Sequence, residues 1–166
     1  LHERGLIDRL PRMAVVQAAG ANPLYRAWTS GEELQTMTAD TIATAIKIGA
    51  PLSWRKSMRG LKALDGVVTE VTDNEIMDAK AIVDGAGIGA EPASCASVAG
   101  LRRLVAEGVI APDSHVVGVL TGHMLKDADV VVGYHNGSLK GIDSARANAP
   151  IQAPADVEAI RAILRD

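Results

Sequence analysis

Two short runs in this 166-residue chain carry residue types whose spacing suits chemistry. The first is Gly87-Ile88-Gly89-Ala90-Glu91-Pro92-Ala93-Ser94-Cys95-Ala96-Ser97, a glycine-rich turn opening a helix of small residues. The second is Leu120-Thr121-Gly122-His123-Met124-Leu125-Lys126-Asp127, which reads as the end of a buried strand with one hydroxyl at its tip. In open parallel sheets, ligands sit beyond the carboxyl ends of the strands. The Thr121 hydroxyl can donate one hydrogen bond there or accept one, and Gly122 permits close backbone approach. Together the runs read as half of a cofactor pocket. On spacing alone, a threonine that merely ends its strand is the plainer reading.

The other reactive side chains point less far. Gly87-x-Gly89 could cradle a phosphate at the helix start. It lacks the third glycine and downstream acid of a dinucleotide fingerprint, and no Gly-Lys-Ser/Thr follows. Glu91 stands where an anion would go, so a close-packing turn is the better reading; a carboxylate at a helix start is also ordinary stabilisation. His123 and Asp127 lack a second histidine at metal-ligand spacing. Lys126 beside Asp127 reads as an ion-pair residue rather than a nucleophile, because a catalytic lysine needs desolvation or neighbouring cations. Ser94 and Ser97 have no nearby histidine to activate them.

Elements must hold these residues in place. Residues 13–18 and 66–71 read as buried strands, and His115–Leu120 as the best strand of the chain. Asp129–Tyr134 reads as a further strand or an extended arm. A helix is expected over 53–64, with Met58, Leu61 and Leu64 on one side. Thr72-Asp-Asn-Glu75 has the spacing of a capping box. It starts a helix with Ile76, Ala79 and Val83 on one face, ending at Gly85. Pro92 suits the first turn of a helix running to about Ala106, with Val98, Leu101 and Val105 as its apolar stripe. Asn22-Pro23 marks a turn, and Ser30-Gly-Glu-Glu33 has a weaker capping-box spacing. Thr41–Ile48 fits strand, loop or short helix. A polar stretch, 136–154, leads to a terminal helix from about Pro154, with Val157, Ile160 and Leu164 inward. Strands alternating with helices imply an α/β domain, a mostly parallel sheet flanked by helices.

Composition narrows the partners. The chain has no Phe, two Trp and two Tyr, which argues against stacking nucleic-acid bases. Its net charge of −3 supplies no basic footprint. No apolar run is long enough to span a membrane. The abundance of small residues predicts close approach of helices to the sheet. The single cysteine, Cys95, excludes an internal disulfide, reads as a small buried residue and fits a reducing, cytoplasmic compartment. The chain begins with Leu1, so it reads as a fragment or a cleaved or trimmed product.

These same runs resemble the threonine synthases, pyridoxal-phosphate enzymes of fold type II. Gly5-Leu-Ile-Asp-Arg-Leu-Pro-Arg12 with Gln17-Ala-Ala-Gly20 is similar to a central family segment. Thr41-Ile-Ala-Thr-Ala-Ile-Lys-Ile-Gly49 with Pro51 and Ser53-Trp54 resembles a second. Glu91-Pro-Ala-Ser-x-Ala-Ser97 and Leu120-Thr-Gly-His-x-Leu-Lys-Asp127 resemble two more, all in family order.

The resemblance implies roles. Thr121 matches the hydroxyl that meets the pyridine nitrogen of pyridoxal 5'-phosphate. Ile42, Ala43 and Thr44 match the segment beside the ring and substrate. Glu91 matches an acidic position near the ring, held away from it or hydrogen-bonded. The Schiff-base lysine and the phosphate loop match nothing here and are expected upstream, so no catalytic residue is assigned. Met124 departs from the small residue usual in its motif and crowds the loop. Residues 1–135 would then be the C-terminal portion of the catalytic domain, and 136–166 a connection and terminal helix of the same domain. The implied activity is that of a lyase converting O-phospho-L-homoserine and water to L-threonine and phosphate. The implied partners are that small-molecule substrate, the missing N-terminal half and a second copy in a homodimer, with no nucleic acid and no membrane. The rival readings are another fold type II enzyme, such as a threonine or serine dehydratase or a cysteate-synthase-like protein, and a non-catalytic fragment.

Overall fold

The computed structural model describes residues 1–165. Strands β1 (Ala14–Ala18) and β2 (Val67–Val71) pair in parallel, Ala14 opposite Val67 and Ala18 opposite Val71. Parallel neighbours need a long crossover, and α1 (Pro23–Ser30) and α2 (Trp54–Ala63) lie within it. Then come α3 (Asp73–Gly85), α4 (Pro92–Ala106), α5 (Ala128–His135) and α6 (Val157–Ile163). The chain is thus α/β, with a parallel sheet flanked by helices.

Side chains alternate across the strands, so each sheet face has its own core. Val15 and Val68 meet Leu24 of α1, Leu61 of α2, and the partly buried Trp28, Trp54 and Met58. Ala18 and Val71, with Val16, meet Ile76, Ala79 and Val83 of α3 and Ala93, Cys95, Ala96 and Ala99 of α4. The predicted α3 face is therefore the buried one. Its capping box is complete: Glu75 N–H donates to Thr72 Oγ1 at 3.2 Å, and Thr72 N–H donates to Glu75 Oε2 at 2.7 Å.

Helix α4 buries a different face from the one predicted. Val98, Leu101 and Val105 are only half-buried, while Ala93, Ala96, Ala99, Gly100 and Leu104 are covered. Small residues win because they let the helix axis approach the sheet. A Cβ on Gly100 would lie 2.2 Å from Val16 Cγ2. Cys95, fully buried between these layers, has its thiol pushed up to about 11 by that burial.

Other expectations are corrected. His115–Leu120 joins no ladder among the described residues, and Val116, Val117 and Val119 are exposed. A strand is defined by its neighbour, and neither β1 nor β2 pairs with this segment. Asp129–Tyr134 is neither strand nor arm but most of α5. The helical turn buries Gly133 and Tyr134 and lets the Tyr134 hydroxyl donate to Asp78 Oδ1 at 2.7 Å. Valine-rich sequence favours a strand only where a sheet is there to receive it. Pro23 occupies the first turn of α1, a favoured place for proline, so Asn22-Pro23 begins a helix. Ser30 ends that helix, and Gly31 closes it at φ 75°. Thr41–Ile48 is a loop with one 3₁₀ turn, Thr44–Ile46. The terminal helix starts at Val157, capped by Asp156 Oδ1 accepting from Ala159 N–H at 2.9 Å. Its residues Val157, Ile160 and Leu164 face outward.

Candidate functional site

The two runs meet at the start of α4. Gly87 and Gly89 both take positive φ, 77° and 67°, a region open to glycine at no steric cost. A Cβ on Gly89 would lie 2.8 Å from Met124 Sδ. The turn is thus packed against the second run. Residues 90–91 and 122–123 then lie side by side. Ala90 and His123 form an antiparallel bridge, and Glu91 N–H donates to the Gly122 carbonyl at 3.0 Å. A Cβ on Gly122 would fall 1.9 Å from Glu91 Oε1, so glycine is required by that close approach.

Ser94 ties the runs together. It is buried in the first turn of α4, and its Oγ accepts the N–H of Thr121 at 3.0 Å and of Gly122 at 2.9 Å. Its Oγ is also 3.1 Å from Thr121 Oγ1. Thr121 itself is exposed, so its hydroxyl is held at the surface of the site.

Glu91 is 3% exposed. Burying a carboxylate without a partner is costly, and Lys126 Nζ stands 3.0 Å from its Oε2. That contact is ionic rather than a directed hydrogen bond, since Oε2 has no aligned donor. Glu91 Oε1 lies 3.5 Å from Ser94 Oγ. Lys126 is therefore an ion-pair residue as expected, but with Glu91 and not with its neighbour Asp127. Asp127 takes the left-handed conformation, φ 57°, and accepts the Thr44 hydroxyl at 2.7 and 3.0 Å. His123 Nδ1 accepts the N–H of Leu125 at 3.1 Å.

Thr44 is thereby brought to the Thr121 loop. The two residues before it are held differently. Ile42 N–H donates to Asp73 Oδ2 at 3.1 Å, and the Thr41 hydroxyl donates to Asp73 Oδ1. Ile42 lines a separate cleft of about 460 Å³ with Asp40, Lys47, Asp73 and Lys140. Ala43 is fully buried beside Ala90 and Ala93, so it backs the site from within the core. Of the five residues singled out from sequence, Thr121, Glu91 and Thr44 converge on the loop 121–127. Ile42 and Ala43 lie behind it.

Sequence reasoning missed Ser94 and Asp73. Ser94 is set aside as a nucleophile for want of a histidine, yet its work here is to bind backbone. Its partners lie 27 and 28 positions away, and nothing local announces them. Asp73 is legible only as part of a capping-box helix, while its carboxylate holds the loop at Thr41–Ile42.

Residues 2–122 match the family described as "Pyridoxal-phosphate dependent enzyme". Threonine synthase 2, chloroplastic, of Arabidopsis thaliana is 36% identical over 167 residues, 99% of this chain and 32% of its own length. Threonine synthase of Methanosarcina acetivorans is 45% identical over 131 residues, 77% of this chain and 32% of its own. Threonine synthase of Mycobacterium leprae is 42% identical over 158 residues, 95% of this chain and 40% of its own. The chain spans between 32% and 40% of the length of these relatives.

Proposed function

Because this chain belongs to the pyridoxal-phosphate-dependent enzymes, we propose that it supplies one wall of the cofactor site of a threonine synthase. The complete protein, on this reading, converts O-phospho-L-homoserine and water to L-threonine and phosphate. The name carried by its relatives supports that substrate. The observation that carries the site is the exposed Thr121 hydroxyl, locked against Ser94 at the mouth of the 121–127 loop.

The donor set fits a pyridine ring. Thr121 offers a neutral hydroxyl, and the nearby Glu91 carboxylate is buried and paired with Lys126. The cofactor, when bound, supplies an electron-withdrawing ring for bond making and breaking at the substrate carbons. Thr121 holds the ring nitrogen with an uncharged partner. Thr44 and Asp127 hold the loop against the 41–46 segment, which with Ile42 and Ala43 forms the wall on that side. The lysine that binds the cofactor and the loop that cradles its phosphate are assigned to residues outside these 166. The cytoplasm is proposed as its location, where a free thiol such as Cys95 stays reduced, and a homodimer as its assembly.

Thr121→Val in the complete protein tests the site. One lost hydrogen bond near the reacting centre predicts a fall in kcat of about tenfold or more, with the melting temperature kept. Unchanged turnover refutes the role of Thr121. Phosphate release from O-phosphohomoserine, against 2-oxo acid formation from threonine or serine, separates a synthase from a dehydratase. The 166-residue chain alone is expected to show no absorption band of a lysine-bound cofactor.

A further inference from the structure

We propose that Ser94 is a positioning residue that fixes the Thr121 hydroxyl as a donor, and so makes the site select an unprotonated ring nitrogen. The proposal rests on the reading that Thr121 meets that nitrogen. It follows from counting hydrogen-bond capacity. A serine hydroxyl has one proton and two lone pairs. At Ser94 both lone pairs are taken, by Thr121 N–H at 3.0 Å and Gly122 N–H at 2.9 Å. Its proton has two acceptors within reach, Thr121 Oγ1 at 3.1 Å and Glu91 Oε1 at 3.5 Å. Whichever of these receives it, Ser94 has no lone pair left to accept from Thr121. The Thr121 hydroxyl therefore never donates inward. Its proton points away from Ser94, toward whatever occupies the open side.

A donor fixed outward suits an acceptor. An unprotonated pyridine nitrogen is one; a protonated one presents its own N–H and meets the hydroxyl proton head-on. The charged and titratable groups around this pair are Glu91 at the head of α4 and His123, Lys126 and Asp127 of the loop. Lys126 stands against Glu91, Asp127 accepts from Thr44, and His123 Nδ1 accepts from Leu125 N–H. None of these contacts involves the Thr121 hydroxyl, so Ser94 is the group that sets its direction.

The test is the ¹⁵N chemical shift of ring-labelled cofactor in the complete holoenzyme, followed against pH. In the unaltered protein the shift is expected to stay at the hydrogen-bonded, unprotonated value across the neutral range. Thr121→Val should move it to the value of a pyridine without a hydrogen bond. Ser94→Ala leaves Thr121 free to turn and accept, so the nitrogen should now protonate as pH falls, and Ser94→Thr should restore the flat profile. A Ser94→Ala profile that matches the unaltered protein, with Thr121→Val still displaced, overturns the proposal and leaves the Thr121 reading standing. A Ser94→Ala profile that copies Thr121→Val without protonation also overturns it, because then only the loop has moved. An unshifted Thr121→Val spectrum removes the underlying reading and the proposal with it. Should Ser94→Ala not fold, amide exchange in the unaltered protein decides. Thr121 and Gly122 N–H, though on an exposed loop, should exchange at least about 100-fold slower than unstructured chain. Fast exchange at either would leave a Ser94 lone pair free and end the argument.

Discussion

Helix α4 is held in two different ways along its length. Its middle is held by shape: Gly100 lies so close to Val16 that a single added carbon would overlap it, and Ala96 and Ala99 fill the same tight seam. Its first turn is held by directed polar contacts: Ser94 to the Thr121–Gly122 backbone, Glu91 to Lys126, and Glu91 N–H to the Gly122 carbonyl. Non-directional packing tolerates exchange among shapes of equal size and fails on volume. Directed contacts tolerate volume at the surface and fail on the loss of one atom. The first builds a scaffold, and the second aims a side chain.

Substitutions can break that distinction or make it sharper. The largest effect is expected at Gly100→Val, where overpacking against Val16 should cost about 3 kcal/mol, read by urea denaturation. A neutral result would mean that the seam between α4 and β1 is loose. Next is Lys126→Met, which leaves the buried Glu91 carboxylate without its cation. Lys126 is itself more than half exposed, so the loss should be about 2 kcal/mol rather than the full penalty of a buried pair. Adding Glu91→Gln should recover part of it, a coupling that independent sites would not show.

Asp127→Ala comes third. It removes the acceptor of the Thr44 hydroxyl and puts alanine at a left-handed position, together about 1–2 kcal/mol. Asp127→Asn, which tolerates that conformation, should cost less. Equal losses in the two variants would show that backbone strain plays no part.

The smallest effect lies in the α3–α4 seam and depends on pH. Burial by itself raises the Glu75 carboxyl. Hydrogen bonds from the Arg103 guanidinium and from Thr72 outweigh it and leave the group below its ordinary value of 4.5. The unfolded chain then takes up the proton first as pH falls. The stabilisation is therefore present above about pH 4.5 and is lost as acid carries the pH down through the folded value. Glu75→Gln should cost about 0.5–1 kcal/mol at neutral pH, small because the pair is partly exposed. The gap between the two proteins should close in acid. A gap that persists there would assign the effect to shape rather than charge.

These regions also differ in how far they can be read from residues alone. The Thr72–Glu75 capping box, the Ile76/Ala79/Val83 face and strands β1 and β2 all follow from contacts a few residues apart or from simple alternation. The motif similarity likewise pointed to the pyridoxal-phosphate-dependent enzymes and to Thr121, Glu91 and 42–44 as the residues to examine. Three assignments failed for one reason. His115–Leu120, Asp129–Tyr134 and the outward α6 stripe were judged by intrinsic preference, and each outcome turned on whether a neighbouring surface was there. The same holds for α4, where the valine stripe yields to the alanine and glycine face because the sheet lies so near.

Sequence by itself determined the local chemistry of this protein: which residues start and stop helices, which pair of strands is apolar, and which hydroxyl ends the second motif. Tertiary structure alone decided the partners. It gave Lys126 to Glu91 and Asp127 to Thr44, and it set Ser94 beneath Thr121 so that one serine's lone pairs govern the direction of another residue's proton. Helix periodicity acts over three or four positions and is written in order along the chain. A hydrogen bond between residues 94 and 121 is fixed by where α4 and the 121–127 loop come to rest, and that depends on the packing of the whole.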